Sequence, residues 1–164
     1  MLINCYNCNS QIIMNKFKGV NKTFIPCSFE CFIETCKQVG KPISMIDMKV
    51  NKNKGVKVFR SQLEKEFNDY MISKGVSCYF EPYFFTMEIK SKKRYYLPDF
   101  FLPEYEVFIE IKGDIWGDGA YSKYKEFSKY IPIILINNSM FKLIKINNKS
   151  KGEFSIKGEI DVGK

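Results

Sequence analysis

Between residues 61 and 137 the spacing of apolar positions changes from helical to extended and back again. From Ser61 onward, Leu63, Phe67, Tyr70 and Met71 fall on one face of a 3.6-residue period, and Gly75 supplies a C-terminal stop. The pattern then shortens. Val76–Phe80, Tyr83–Ile89, Arg94–Leu102 and Glu106–Lys112 read as strands, separated by stretches bearing Pro, Ser or Lys, and they predict an antiparallel or mixed meander. A second amphipathic helix is expected over Ala120–Tyr130, where Tyr121, Tyr124 and Phe127 align and Lys123, Lys125 and Lys129 do not. Ile131–Asn137 follows as a buried strand. The order helix, strands, helix, strand predicts an α/β protein with a mixed sheet flanked by helices.

The ends of the chain have a different texture. Five of the six cysteines lie within the first 36 residues, and residues 49–57 are rich in Lys and Asn. This predicts a small cysteine-bearing module over 1–48, a linker over 49–57, a main domain over 58–146 and a tail over 147–164 that carries few large apolar residues.

A chain of 164 residues has room for one substantial core and a small appendage. With 45% hydrophobic and 27% charged residues, its composition is that of a folded protein, so its charge does not come from disorder. That charge is +8, which favours a polyanionic partner, nucleic acid above all, although lysine- and asparagine-rich coding alone produces part of such an excess. The N-terminus has no basic flank followed by an apolar stretch, and Ile131–Ile136 is far shorter than the roughly 20 residues a spanning helix needs. A cytoplasmic location with no membrane partner is expected. In that reducing setting, cysteines serve as metal ligands or core residues rather than disulfides.

The chemistry concentrates in the strand Glu106–Lys112. Val107, Ile109 and Ile111 share one face, while Phe108, Glu110 and Lys112 share the other. Asp99 follows Pro98 within the preceding run, and the short Pro103–Tyr105 connection folds the two runs into a hairpin that can set Asp99 beside Glu110. Paired carboxylates repel each other unless a divalent cation lies between them, and Mg²⁺ prefers such oxygen ligands. An E-x-K strand by itself is most often a solvated ion pair of little consequence. What separates this one is its strongly apolar setting and Gly113 directly after it.

The segment YYLPDFFLPEYEVFIEIKG, Tyr95–Gly113, resembles the PD-(D/E)XK nuclease superfamily, and the resemblance extends back through Phe59–Phe67 and Tyr79–Pro82, in the manner of small phage and bacterial nucleases. It covers roughly Val58–Asn137. The resemblance implies a restriction-endonuclease-like fold, cleavage of DNA or RNA, and Mg²⁺ or Mn²⁺ held by Asp99, Glu110 and the Ile111 carbonyl, with Lys112 assisting the attacking water. It also offers Glu64 as a further metal-site carboxylate. Ser61 and Glu64 equally form the S-x-x-E capping box of a helix N-terminus, so two roles compete for that side chain. Glu81, before Pro82, is a turn residue left outside the core site. The chain has no histidine, which excludes histidine-metal nucleases and Ser-His-Asp hydrolases and leaves metal-bound water, lysine or carboxylate as the base.

Cys5 and Cys8 form C-x2-C, and eighteen residues later Cys27 and Cys31 form C-x3-C, a spacing that suits four thiolates around one Zn²⁺. Pro26 and Ser28 suit the entry to a helix that would bring Cys27 and Cys31 to the same metal. The arrangement resembles a treble-clef or TRASH-type zinc knuckle. Cys36 competes with Cys31, although five residues on it would point away from the metal face. Cys78 suits a strand core.

Two functions follow from these observations. One is a metal-dependent endonuclease that hydrolyses nucleic acid, DNA in the first place, with the zinc module engaging the substrate. Cutting both strands of a duplex would then call for a homodimer or successive nicks, in the bacterial cytoplasm if a phage encodes it. The other is a non-cleaving DNA-binding or protein-interaction module on a nuclease-like fold.

Overall fold

The computed structural model describes residues 2–13, 24–41, 48–51, 59–113 and 118–146. The expected tail over 147–164 and most of the expected linker lie outside them, as does Trp116.

The chain is mixed α/β, with three sheets and four helices among the described residues. The N-terminal strands β1 (Leu2–Asn4) and β2 (Gln11–Ile13) pair as an antiparallel hairpin, and helix α1 (Phe29–Val39) follows. Strand β3 (Met48–Val50) pairs antiparallel with β5 (Tyr83–Ile89), which pairs in turn with β6 (Lys92–Tyr96). The stretch expected to open a linker therefore begins with an edge strand. Its backbone is taken up by β5, and lysines are tolerated on such an edge because one face meets water.

The central sheet runs in the order β4 (Tyr79–Phe80), β7 (Phe100–Leu102), β8 (Val107–Ile111), β9 (Ile133–Ile136). Its first three strands are antiparallel, and β9 lies parallel to β8. This is the mixed sheet that the sequence predicts. The run expected as one strand over Arg94–Leu102 is two, β6 and β7, in different sheets. Pro98 lacks an N–H for either ladder and disfavours continuation, so the chain crosses between sheets there.

Helix α2 (Gln62–Ser73) starts at the Ser61 N-cap, whose hydroxyl accepts the Glu64 N–H at 3.2 Å. It ends at Gly75, whose φ of +72° is a conformation glycine adopts at no steric cost. Phe67 and Met71 are buried on the expected face. Helix α3 (Asp118–Phe127) follows β8, and α4 (Asn138–Ile146) follows β9. No separate signal in the sequence marks α4. Its stripe of Met140, Phe141, Leu143 and Ile144 is buried, and the Asn137 side chain caps it by accepting the Met140 N–H at 2.9 Å.

The alternation along β7 and β8 sorts the core into two layers. On one face Phe100 meets Phe67 of α2 at 5.2 Å, and Phe67 in turn meets Phe141 of α4 and Phe32 of α1. On the other, Phe101 and Phe108 pack on Tyr83, and Phe108 also meets Phe85 of β5 at 5.1 Å. Losing any one of the fully buried rings would cost about 3–5 kcal/mol.

The N-terminal unit is more than an appendage. Helix α1 packs on α4, β8 and β9, Phe29 meets Tyr70 edge-on, and Gly40 lies so close to the β7–β8 turn that a Cβ there would stand 1.9 Å from the Tyr105 carbonyl oxygen. Cys36 and Phe32 on this helix are fully buried in the common core.

Candidate active site and metal centre

The β7–β8 pairing sets Phe100 opposite Ile109, and one step further brings Asp99 opposite Glu110 on the same face. Both acids are buried, at 5% and 4% exposure, in a sheet that is otherwise apolar. Asp99 is held from behind: its Oδ2 accepts the Ile111 N–H at 2.6 Å, and its carbonyl accepts the N–H of Glu81, which turns at φ +44°. Glu110 is held at both oxygens. The Lys112 Nζ lies 2.7 Å from Oε1, and the Tyr96 hydroxyl donates to Oε2 at 2.8 Å.

Burial, and then the charge of Glu110, push the Asp99 carboxyl up to about 8; the Ile111 N–H and Lys112 oppose this, and Glu64 adds to it. Burial works against the charge on Lys112, but Glu110 beside it outweighs burial and holds its pKa above the usual lysine value. Burial, followed by Glu110, raises the Tyr96 hydroxyl far above the ordinary range and keeps it a donor. Tyr124 of α3 is raised for the same two reasons.

Glu64 is buried at the start of α2. Its Oε2 accepts the Arg60 N–H at 2.9 Å, closing the helix N-terminus, while its charge acts on both Asp99 and Lys112. The three carboxylates do not, however, draw together as tightly as the thiols described below. Glu81 pairs with Arg60 instead of joining the acids. Tyr96 joins the site unannounced by the sequence. The break at Pro98 ends the alternation that would have assigned its face, so no local pattern identifies it.

The donor set suits a hard divalent cation: the burial and repulsion that raise Asp99 beside Glu110 would be relieved by Mg²⁺ or Mn²⁺ placed next to the two carboxylates. Asp99 and Glu110 would hold it, with Glu64 and the Ile111 carbonyl as further candidates.

The second cluster is sulfur. The thiols of Cys5, Cys8, Cys27 and Cys31 lie within 4.8 Å of one another, with Cys8–Cys27 and Cys27–Cys31 both at 3.6 Å. A Zn–S bond of about 2.3 Å in a tetrahedron gives S···S of roughly 3.8 Å, so the four would close on Zn²⁺ with small shifts. Local structure explains the convergence. Cys5 and Cys8 sit in the β1–β2 turn, where Cys5 N–H donates to Ser10 and Asn9 takes φ +60°. Cys27 precedes the α1 N-cap Ser28, and Cys31 lies one turn in, its N–H donating to the Ser28 hydroxyl. The Cys27 hydrogen bond holds Cys5 down to about 4 and raises Cys27, and burial raises Cys36, which stands apart from the group.

The mixed α/β core thus carries paired buried acids and a lysine at the end of one sheet. The family follows directly: residues 45–162 match the model of phage endonuclease I, and the chain belongs to that family. It is thus a nuclease by family, with nucleic acid as substrate. No curated protein and no solved structure matches it. Among the described residues no helix is long and apolar enough to cross a membrane.

Proposed function

We propose that the chain is a Mg²⁺- or Mn²⁺-dependent DNA endonuclease of the PD-(D/E)XK type, with a restriction-endonuclease-like nuclease domain over 58–146 to which β3 is added. The observation that carries this reading is the Asp99–Glu110 pair, buried opposite each other with Lys112 on Glu110. Asp99 and Glu110 would hold the cation, and Glu64 would complete its acidic surroundings. When bound, the cation polarises the scissile phosphate and acidifies a water. Lys112 keeps its ammonium at pH 7 and orients the attacking water or offsets charge developing on the phosphate. Tyr96 and Lys112 fix both oxygens of Glu110, so the carboxylate is oriented before substrate arrives. Cys5, Cys8, Cys27 and Cys31 hold structural Zn²⁺. Cleavage of both strands of a duplex would take two such centres in a homodimer, or two nicks in succession.

The test is incubation of purified protein with plasmid, single-stranded and branched DNA in Mg²⁺ or Mn²⁺. Cutting by the wild type, lost in Asp99→Ala and Lys112→Ala, is expected. Equal cutting by those variants would refute the assignment, and salt-dependent binding without cutting would favour a non-cleaving DNA-binding module.

A further inference from the structure

At the opposite end of β8 and β9 from the acids lies a pocket of about 380 Å³. Its walls come from two parts of the chain: Tyr6, Phe24 and Lys41 precede the family-matched segment, while Tyr124, Lys129 and Tyr130 lie at the end of α3 and just beyond it. Tyr6 and Phe24 stand edge to face at 5.0 Å, and Tyr6 and Tyr130 are 40% and 59% exposed. Among the described residues that line the pocket, every charged one is a lysine.

Its size is at the small end of ligand pockets, roughly 300–1,000 Å³, which suits one nucleotide unit and not a duplex. Exposed aromatic rings beside lysines match a flat base carrying a phosphate, which would draw Lys129 from Glu126, its ion-pair partner at 3.2 Å. The position suits a strand that also reaches the acids. Phe108 pairs with Ile133 at the pocket end and Ile111 with Ile136 at the acid end, a separation of three residues or roughly 10 Å. On helix α3, which lines the pocket through Tyr124, Lys123 and Lys125 are exposed.

We propose that this pocket seats one unpaired nucleotide of the nucleic-acid substrate, its base on Tyr130 and Tyr6 and its phosphate on Lys41 and Lys129. The proposal rests on the nuclease reading, and it deepens that reading by adding a preference for substrates with an unpaired end or flap. Because part of the wall lies outside the family-matched segment, the preference belongs to this chain's N-terminal unit.

The experiment measures binding by zinc-loaded full-length protein carrying Lys112→Ala, so that cleavage does not interfere. Two probes are compared: a blunt duplex, and the same duplex with a short overhang containing 2-aminopurine. Tyr130→Ala should weaken overhang binding about tenfold, from the loss of one base-stacking contact, and abolish the quenching of 2-aminopurine. Blunt-duplex binding should stay within about twofold, and Tyr130→Phe should keep overhang affinity. Equal effects on both probes, or none on either, would overturn the proposal, as would free dTMP competing as well as the overhang. Absence of binding to any nucleic acid would overturn both readings, whereas wild-type failure to cut with Tyr130-dependent overhang binding intact would overturn only the catalytic one.

Discussion

Tyr96→Phe removes one oxygen from the buried site and leaves the ring. In the wild type that oxygen donates to Glu110 Oε2 at 2.8 Å, and the ring stacks on Phe127 at 4.7 Å with an interplanar angle of 26°. A buried hydrogen bond to a charged partner is worth about 1.5–3 kcal/mol, while the stacking and packing are unchanged in the variant. Lys112 still holds Oε1, so Glu110 becomes free to rotate about that single contact. If the lost orientation falls on metal binding, the Mg²⁺ concentration for half-maximal cutting rises roughly 10- to 100-fold, the usual effect of removing a group that orients a ligand. The assay is the initial rate of DNA cutting across a Mg²⁺ titration, with thermal unfolding followed in parallel. Near-wild-type rates at saturating Mg²⁺ with a displaced midpoint are expected. An unchanged midpoint would refute the orienting role of Tyr96, whatever the change in melting temperature.

Asp99 gives a pH signature. Its carboxyl titrates near 8 in the metal-free protein and at an ordinary low value when unfolded, so the folded state holds the extra proton across the interval between. Metal-free stability should therefore fall as pH rises from about 4 through about 8. Apparent Mg²⁺ affinity should rise about tenfold per pH unit below 8 and level off above it, because binding must expel the proton. A flat calorimetric profile would contradict this, and Asp99→Asn should abolish the pH dependence. Gly40→Ala should cost about 1–3 kcal/mol, since the new Cβ meets the Tyr105 carbonyl at 1.9 Å, and chemical denaturation would show it. Cys31→Ser should lower bound zinc below one per chain by elemental analysis and reduce cutting at saturating Mg²⁺. Retention of full zinc and full melting temperature would remove Cys31 from the ligand set.

The parts of the fold legible in the sequence are those governed by short-range rules. The β8 alternation, the Ser61 cap and Gly75 stop of α2, and the C-x2-C and C-x3-C spacing each depend on residues a few positions apart, and each has its structural counterpart. What escaped depends on long-range pairing. Arg94–Leu102 reads as one strand because nothing local says that its halves join different sheets, and Lys49 and Val50 read as linker because their partners lie over thirty residues away. Helix α4 escaped because its apolar stripe directly follows the apolar β9, which blurs the change of period. The same limit hid Tyr96, whose role arises from a contact across fourteen residues.

The thiol cluster's place in this arrangement changes what zinc would do. A detached arm would affect only substrate capture, leaving the acids unmoved. Helix α1, however, carries Cys31 on one side and, one residue on, Phe32 buried against Phe67, which lies one turn after Glu64 in α2. The same helix packs on β8, which carries Glu110. Four thiolates drawn onto one cation would fix the start of α1, and through it the helix that supports Glu64 and the strand that supports Glu110. Loss or oxidation of the thiols should accordingly weaken Mg²⁺-dependent cutting even of short substrates that never reach the N-terminal unit. Cutting of such substrates by zinc-stripped protein at the full wild-type rate would return the unit to the status of an arm.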